Sequence, residues 1–136
     1  MKENIKLEYI DWLGNAVDLI PRLELYTVED ILGREMPGLA IVLSEENGEM
    51  FDVLTVSFGE MIALRDCAYV DTNNLPGAED MLRKSGIAEE TRFTHQSGFC
   101  TYPLWHFNPE FLKAIGKKNY EKYCKAYDKY YAAFAS

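Results

Sequence analysis

The C-terminal segment, from about residue 117 onward, carries the clearest periodicity in the chain. At about 100° per residue its aromatic side chains share one face of a helix with one cysteine: Tyr120, Tyr123, Cys124, Tyr127, Tyr130, Tyr131 and Phe134. Lysines occupy the opposite face: Lys118, Lys122, Lys125 and Lys129. A helix with so apolar a face must be covered, so we expect it to pack on a sheet. The alternative is that Tyr120, Tyr123, Tyr127 and Tyr131 form an aromatic interface with a partner.

Two hairpins are predicted in the N-terminal half. Asn47 and Gly48 lie between apolar runs at residues 39–44 and 51–58, and both residue types tolerate the positive φ of a tight turn. A second alternation over residues 5–13 is followed by Gly14 and Asn15, and residues 16–26 then read as a return strand that is kinked or at an edge because of Pro21.

Further elements follow from local signals. Thr27 to Asp30 resembles a capping box, which predicts a short helix ending at Gly33. A strand is expected at residues 67–72, and a helix at 78–85 closed by Gly86. Residues 99–107 alternate, with Pro103 placing that strand at a sheet edge or bulge. The sequence Asn108, Pro109, Glu110 predicts a helix start.

These elements predict an α+β fold. We expect an antiparallel sheet of about five or six strands from N-terminal hairpins, one central helix, and a C-terminal helical pair packed on the sheet. With 136 residues, 48% of them apolar, the chain fits one domain. Residues 1–107 are predicted to be mainly β with one or two short helices, and residues 108–136 helical.

The charge is unevenly distributed. The chain carries 14 basic and 22 acidic residues, a net charge of −8, but residues 1–110 alone carry −12 and the lysines after them make the tail positive. This disfavours direct nucleic-acid binding, which requires a contiguous basic surface. Apolar runs are too short to cross a bilayer, and the first residues lack a secretion signal. We therefore expect a cytoplasmic protein without membrane contact.

Few residues suggest catalysis or metal binding. The chain has an odd number of cysteines, and they are widely spaced: Cys67, Cys100 and Cys124. This pattern indicates reduced thiols rather than a disulfide framework or a zinc site. A small enzyme using Asp71, His95 and Cys100 beside Asn73 and Asn74 is an alternative, although Cys100 and His106 would lie about 20 Å apart on one strand. The sequence carries no glycine-rich phosphate loop, and we expect neither cofactor nor metal.

Two segments carry a resemblance to a known family. Residues 68–74 (AYVDTNN), residues 97–104 (SGFCTYPL) and Phe107-Asn108 resemble an uncharacterised domain family carried by conjugative elements and phages of anaerobic gut bacteria, and the hairpin of residues 39–58 is similar in layout. The resemblance implies a mobile-element setting. In that setting and in acidity the chain is similar to antirestriction and anti-CRISPR proteins.

The resemblance and the charge together predict a non-enzymatic inhibitor of a nucleic-acid-targeting defence system. Its partner would be a host defence nuclease or its guide complex, bound by specific docking or by acidic DNA mimicry. A structural or regulatory subunit of mobile-element transfer machinery is a further alternative. The candidate contact acids are Glu45, Glu46, Glu49, Asp52, Glu60, Glu79, Asp80, Glu89 and Glu90.

Overall fold

The computed structural model describes residues 5–135, except for the side chains of residues 134 and 135. The fold is α+β, as the sequence predicts. The described chain forms eight strands: β1 (Leu7–Ile10), β2 (Ala16–Glu29), β3 (Glu35–Ser44), β4 (Met50–Val53), β5 (Thr55–Val56), β6 (Cys67–Val70), β7 (Ala88–Ser97) and β8 (Cys100–Phe107). It also forms three helices: α1 (Ala78–Ser85), α2 (Pro109–Ile115) and α3 (Lys117–Ala135).

The strands form two antiparallel four-stranded sheets that meet at Leu54. The orders are β1-β2-β3-β4 and β5-β6-β8-β7. Leu54 separates β4 from β5, and its N–H donates to the carbonyl of Ile41 at 2.8 Å. Its own carbonyl accepts the N–H of Asp71 at 2.9 Å. One extended segment therefore passes from the first sheet into the second, so the two sheets are joined where the sequence predicted a single one.

Both predicted hairpins are confirmed. β1 pairs with β2 around Gly14, which has φ +84°. β3 pairs with β4, and the Asn47 side chain accepts the N–H of Glu49 at 2.9 Å within the turn. Gly48 takes φ +91°, a conformation that costs glycine nothing.

The short helix predicted after Thr27 is wrong. β2 continues to Glu29 and pairs with β3 along its whole length, Thr27 lying opposite Pro37. The carboxylate of Asp30 accepts the N–H groups of Leu32 and Arg34, each at 2.9 Å, and so closes a tight turn. The β-branched residues at this position fit the strand ladder better than a short helix.

The strand predicted over residues 99–107 is confirmed as β8, with Pro103 beside a bulge and on a stretch that is paired on one side only. β8 lies between β6 and β7, and the register of β7 shifts between Glu90 and Thr94. Pro103 pairs with Thr94 on the β7 side. β6 pairs only as far as Leu104, so the missing N–H of Pro103 costs no bond with β6.

The helix boundaries follow the sequence signals. Gly86 ends α1 with φ +70° and donates its N–H to Leu82. The Asn108 side chain caps α2 by accepting the N–H of Glu110 at 2.9 Å. Gly116 separates α2 from α3, and a Cβ there would lie 2.7 Å from the Cβ of Leu23. The glycine thus lets the helical pair approach β2 closely.

The core lies between the joined sheets and the helices. Its largest fully buried side chains are Trp105, Tyr123 and Phe107. α3 packs against β2 and β3, whereas α1 packs against β1 and β7. Among the described residues, no helix combines the length and apolar character that a membrane span needs.

Candidate functional site

The tyrosine stripe of α3 holds the loop formed by residues 57–66. Tyr120 donates its hydroxyl hydrogen to the Asp66 carboxylate at 2.9 Å, and the Tyr123 hydroxyl accepts the Asp66 N–H at 2.8 Å. Tyr127 and Tyr131 donate to main-chain carbonyls of the same loop, those of Ile62 and Ala63 respectively. The hydroxyls therefore replace the regular backbone pairing that this loop lacks.

Burial of the stripe changes along the helix. Tyr123 and Tyr127 are buried, whereas Tyr131 is 44% exposed. Loss of solvent raises the pKa of Tyr127 to about 12, and the pKa of Tyr123 lies higher still for the same reason. The aromatic interface predicted for this stripe remains a prediction for Tyr131, and the side chain of Phe134 lies outside what the structure describes.

A cleft of about 430 Å³ lies between the two sheets and the 57–66 loop. Its inner surface is apolar and includes buried side chains from both sheets and from α3: Val28, Leu39, Cys67, Leu104, Tyr123 and Tyr127. Burial raises the pKa of the Cys67 thiol to about 11, which keeps the sulfur protonated and weakly reactive at neutral pH. The cleft is therefore a preformed apolar site with the size of a small-molecule pocket.

Aromatic rings and the polar side chains of Glu60, Tyr69 and His95 lie toward the exposed part of the cleft. Phe58 stacks on His95 with ring centroids 3.9 Å apart, and lies 5.5 Å from Tyr69 and 5.2 Å from Tyr102. Glu60 is exposed nearby. Burial raises the pKa of Tyr69, and the charge of Glu60 raises it further. We call Phe58, Tyr69, His95 and Tyr102 the aromatic cluster.

The hairpin of β7 and β8 extends beyond its neighbours. β6 pairs only with residues 104–106 of β8, so residues 100–103 are paired on one side alone. Gly98 turns the chain with φ +60°, and Phe99 at the tip is fully exposed. The SGFCTYP segment is thus a surface hairpin rooted on the aromatic cluster.

The predicted contact acids occupy separate places. Glu45, Glu46 and Glu49 lie in the β3–β4 turn, where Lys6 pairs with Glu46 at 3.3 Å. Asp52 follows on β4 and is half-buried, its carboxylate accepting the N–H of the next residue at 2.7 Å. This turn presents exposed carboxylates at one end of the first sheet.

A second acidic group surrounds Arg83 on α1. The guanidinium pairs with Asp80 at 3.2 Å, with Glu79 at 3.7 Å and with Glu90. These carboxylates raise the pKa of Arg83, Glu90 most of all, so the arginine stays charged and offsets part of their charge. Glu89 is exposed beside them on β7.

Glu60 is far from the acidic turn. It bridges to Glu29 at the end of β2, nine residues beyond Ile20, which pairs with Ser44 next to the acidic turn. At about 3.3 Å per residue the separation along the sheet is roughly 30 Å. The nine acids therefore do not form one continuous surface.

The alternative hypothesis of a small enzyme involves Asp71, His95 and Cys100, which have other neighbours in the fold. Asp71 accepts hydrogen bonds from Asn74 at 2.8 Å and 3.2 Å. His95 lies opposite Tyr102, and Cys100 is its diagonal neighbour, about 7–8 Å away. Within residues 5–135, no set of three histidine, cysteine or carboxylate side chains is arranged to hold a metal ion.

Sequence reasoning missed β7 and the cleft. β7 is mostly exposed on both faces, so it lacks the alternation that predicts a strand. Phe58, Tyr69 and His95 come together only through the pairing of β5, β6, β7 and β8. No local signal in the sequence marks them as neighbours.

A protein-family model described as "Domain of unknown function (DUF4313)" matches residues 27–127. The chain belongs to this family. The DUF4313 match spans the whole β7–β8 hairpin, every residue that lines the cleft except Tyr26, and α3 as far as Tyr127. No curated protein and no solved structure matches the sequence significantly.

Proposed function

We propose that this DUF4313 protein is a non-enzymatic, protein-binding inhibitor carried by a mobile genetic element, and that it antagonises a bacterial nucleic-acid-targeting defence system in the cytoplasm of the host. The β7–β8 hairpin is the docking element. The partner is a defence nuclease or its guide complex, with an apolar pocket beside a basic nucleic-acid groove. The mobile-element setting is supported by the resemblance of the SGFCTYP segment. The docking to a partner is supported by the exposed Phe99 and by the charge distribution.

The observation that supports docking is the full exposure of Phe99 on a supported hairpin. An aromatic side chain gains most when it moves from water into a partner pocket, and such anchors dominate interface energetics. The stacked His95 and the contact between Phe58 and Tyr102 hold the base of the hairpin in place. Little conformational entropy is then lost on binding.

The charge distribution favours specific docking over DNA mimicry. Three of the nine acids are paired with Arg83, and Glu60 is remote from the acidic turn. The net charge of −12 over residues 1–110 still attracts a basic groove over long range. Charge would thus accelerate the encounter, and the hairpin would determine the fit.

Replacing Phe99 by alanine should weaken binding to the partner by about 30-fold or more, the loss of an anchor worth about 2 kcal/mol. The tagged protein would be used to capture candidate defence effectors, and the affinity of a retained effector measured by biolayer interferometry. Trp12→Ala is the matched control, because Trp12 is 85% exposed at a different hairpin turn. Equal losses in the two variants would contradict docking through the β7–β8 hairpin.

A second experiment distinguishes acidic DNA mimicry from specific docking. Reversing Glu45, Glu46 and Glu49 to lysine should slow association and reduce its salt dependence while leaving dissociation nearly unchanged. If the triple variant loses binding completely and Phe99→Ala does not, acidic mimicry replaces docking. Retention of transfer-machinery proteins in place of a nuclease would favour a transfer subunit. An activity lost in a folded Cys100→Ala variant would favour the enzyme.

A further inference from the structure

We propose that the cleft between the sheets is a binding site for a small organic amine, a ligand with an apolar body and a protonated nitrogen. Phe99, the anchor of the proposed docking surface, does not line this cleft. Its volume of about 430 Å³ is within the range of small-molecule sites.

The inner surface of the cleft selects an apolar body. The side chains of Leu39, Cys67 and Leu104 are buried there and offer no strong hydrogen-bonding group. The tyrosine hydroxyls on this side are already used: Tyr26 donates to the carbonyl of Thr55 at 3.0 Å, and Tyr127 donates to Ile62. A ligand therefore gains from burying hydrocarbon or ring surface at this end.

The polar end of the ligand is selected by three side chains near the exposed part of the cleft. In the part of the chain that the structure describes, Glu60, Tyr69 and His95 make no side-chain hydrogen bond or ion pair with another protein group. The Glu60 carboxylate accepts but does not donate, so it matches a cationic donor and repels an anion.

The rings around Glu60 reinforce the preference for a cation. Phe58 and Tyr69 lie 5.5 Å apart in an edge-to-face arrangement, and Phe93 lines the cleft beside them with 58% of its surface exposed. Aromatic faces attract ammonium groups, and a carboxylate next to them adds to that attraction. The apolar inner surface, the aromatic rings at the exposed part of the cleft and the single carboxylate of Glu60 together define an amine site.

The test uses two fluorescent probes that share one ring system. Dansylcadaverine carries a protonated primary amine on a pentyl arm, whereas dansylamide lacks the amine. In a fluorescence titration of the full chain, dansylcadaverine should bind more tightly than dansylamide. Glu60→Gln should weaken the affinity for dansylcadaverine about tenfold and leave the affinity for dansylamide unchanged, because only the protonated amine interacts with the carboxylate.

Matched variants locate the site. Ala63→Trp adds a large ring at an exposed position of the 57–66 loop that lines the cleft and should abolish binding of both probes, whereas Thr101→Trp, exposed on β8 outside the cleft, should not. Glu49→Gln is the control for charge, since Glu49 is exposed at the distant turn. Circular dichroism verifies that each variant is folded. The proposal is overturned if neither probe binds, if Ala63→Trp has no effect, or if Glu49→Gln weakens dansylcadaverine binding as much as Glu60→Gln.

Discussion

Replacing Trp105 by alanine should lower the free energy of unfolding by about 3–5 kcal/mol. Trp105 is 1% exposed and lies on β8, opposite Ala68 of β6 and Glu90 of β7. Truncation removes the largest buried ring from the centre of the second sheet and leaves a cavity that rigid neighbouring strands cannot close. It also removes the hydrogen bond from the indole N–H to Glu79, 3.0 Å long.

The measurement is urea unfolding followed by circular dichroism. Trp12→Ala provides the control with the same chemical change at an exposed turn, where a loss within about 0.5 kcal/mol is expected. Similar midpoints for the two variants would show that Trp105 is not a core residue. Trp105→Phe should fall between them, since it keeps a ring but loses the bond to Glu79.

Stability should fall steeply when the pH rises above about 10. Burial raises the pKa values of Tyr123 and Tyr127 above the ordinary 10.0 of tyrosine, so the folded chain keeps protons that the unfolded chain releases. Their contribution is complete below about pH 9 and is lost on the alkaline side. Two such groups give a slope of about 3 kcal/mol per pH unit between pH 10 and 12. The raised pKa of Cys67, about 11, acts in the same direction from its ordinary 9.0.

Unfolding curves in urea at a series of alkaline pH values test this expectation. Tyr123→Phe should remove about half of the slope that Tyr123 and Tyr127 contribute and cost about 1–3 kcal/mol at neutral pH, because the Asp66 N–H loses its acceptor. Tyr131→Phe removes a hydroxyl from the same stripe at a position that is 44% exposed, and we expect it to cost less stability at neutral pH than Tyr123→Phe. A flat profile between pH 9 and 11 would disprove the role assigned to the buried tyrosines.

Local chemistry accounts for the elements that the sequence predicted well. Asn47 and Gly48 form a turn that depends only on their own backbone freedom, and the cap at Asn108 depends on a side chain two residues from its donor. The apolar stripe of α3 likewise depends on spacing alone. Such features involve neighbours in the chain, so one sequence is sufficient to find them.

The helix wrongly predicted at Thr27 and the pairing around Pro103 both depended on contacts between residues distant in sequence. The capping signal at Thr27 was outweighed by the ladder that β2 makes with β3. Pro103 is compatible with a strand between two others because the pairing of β6 with β8 ends at Leu104, one residue before the proline. Whether a strand is at an edge is decided by its neighbours, which a local pattern does not reveal.

The features of the candidate sites also divide into those that local sequence determines and those that long-range pairing determines. The sequence by itself determined the α+β class, the acidic body with its basic tail, and the unusual SGFCTYP segment. Only the tertiary structure decided that Phe99 is exposed at a hairpin tip, that Glu60 lies beside Tyr69 and His95, and that the predicted acids are dispersed. Composition and short-range periodicity are properties of the chain, whereas cleft and surface arise when strands distant in sequence are brought together by hydrogen bonding and burial.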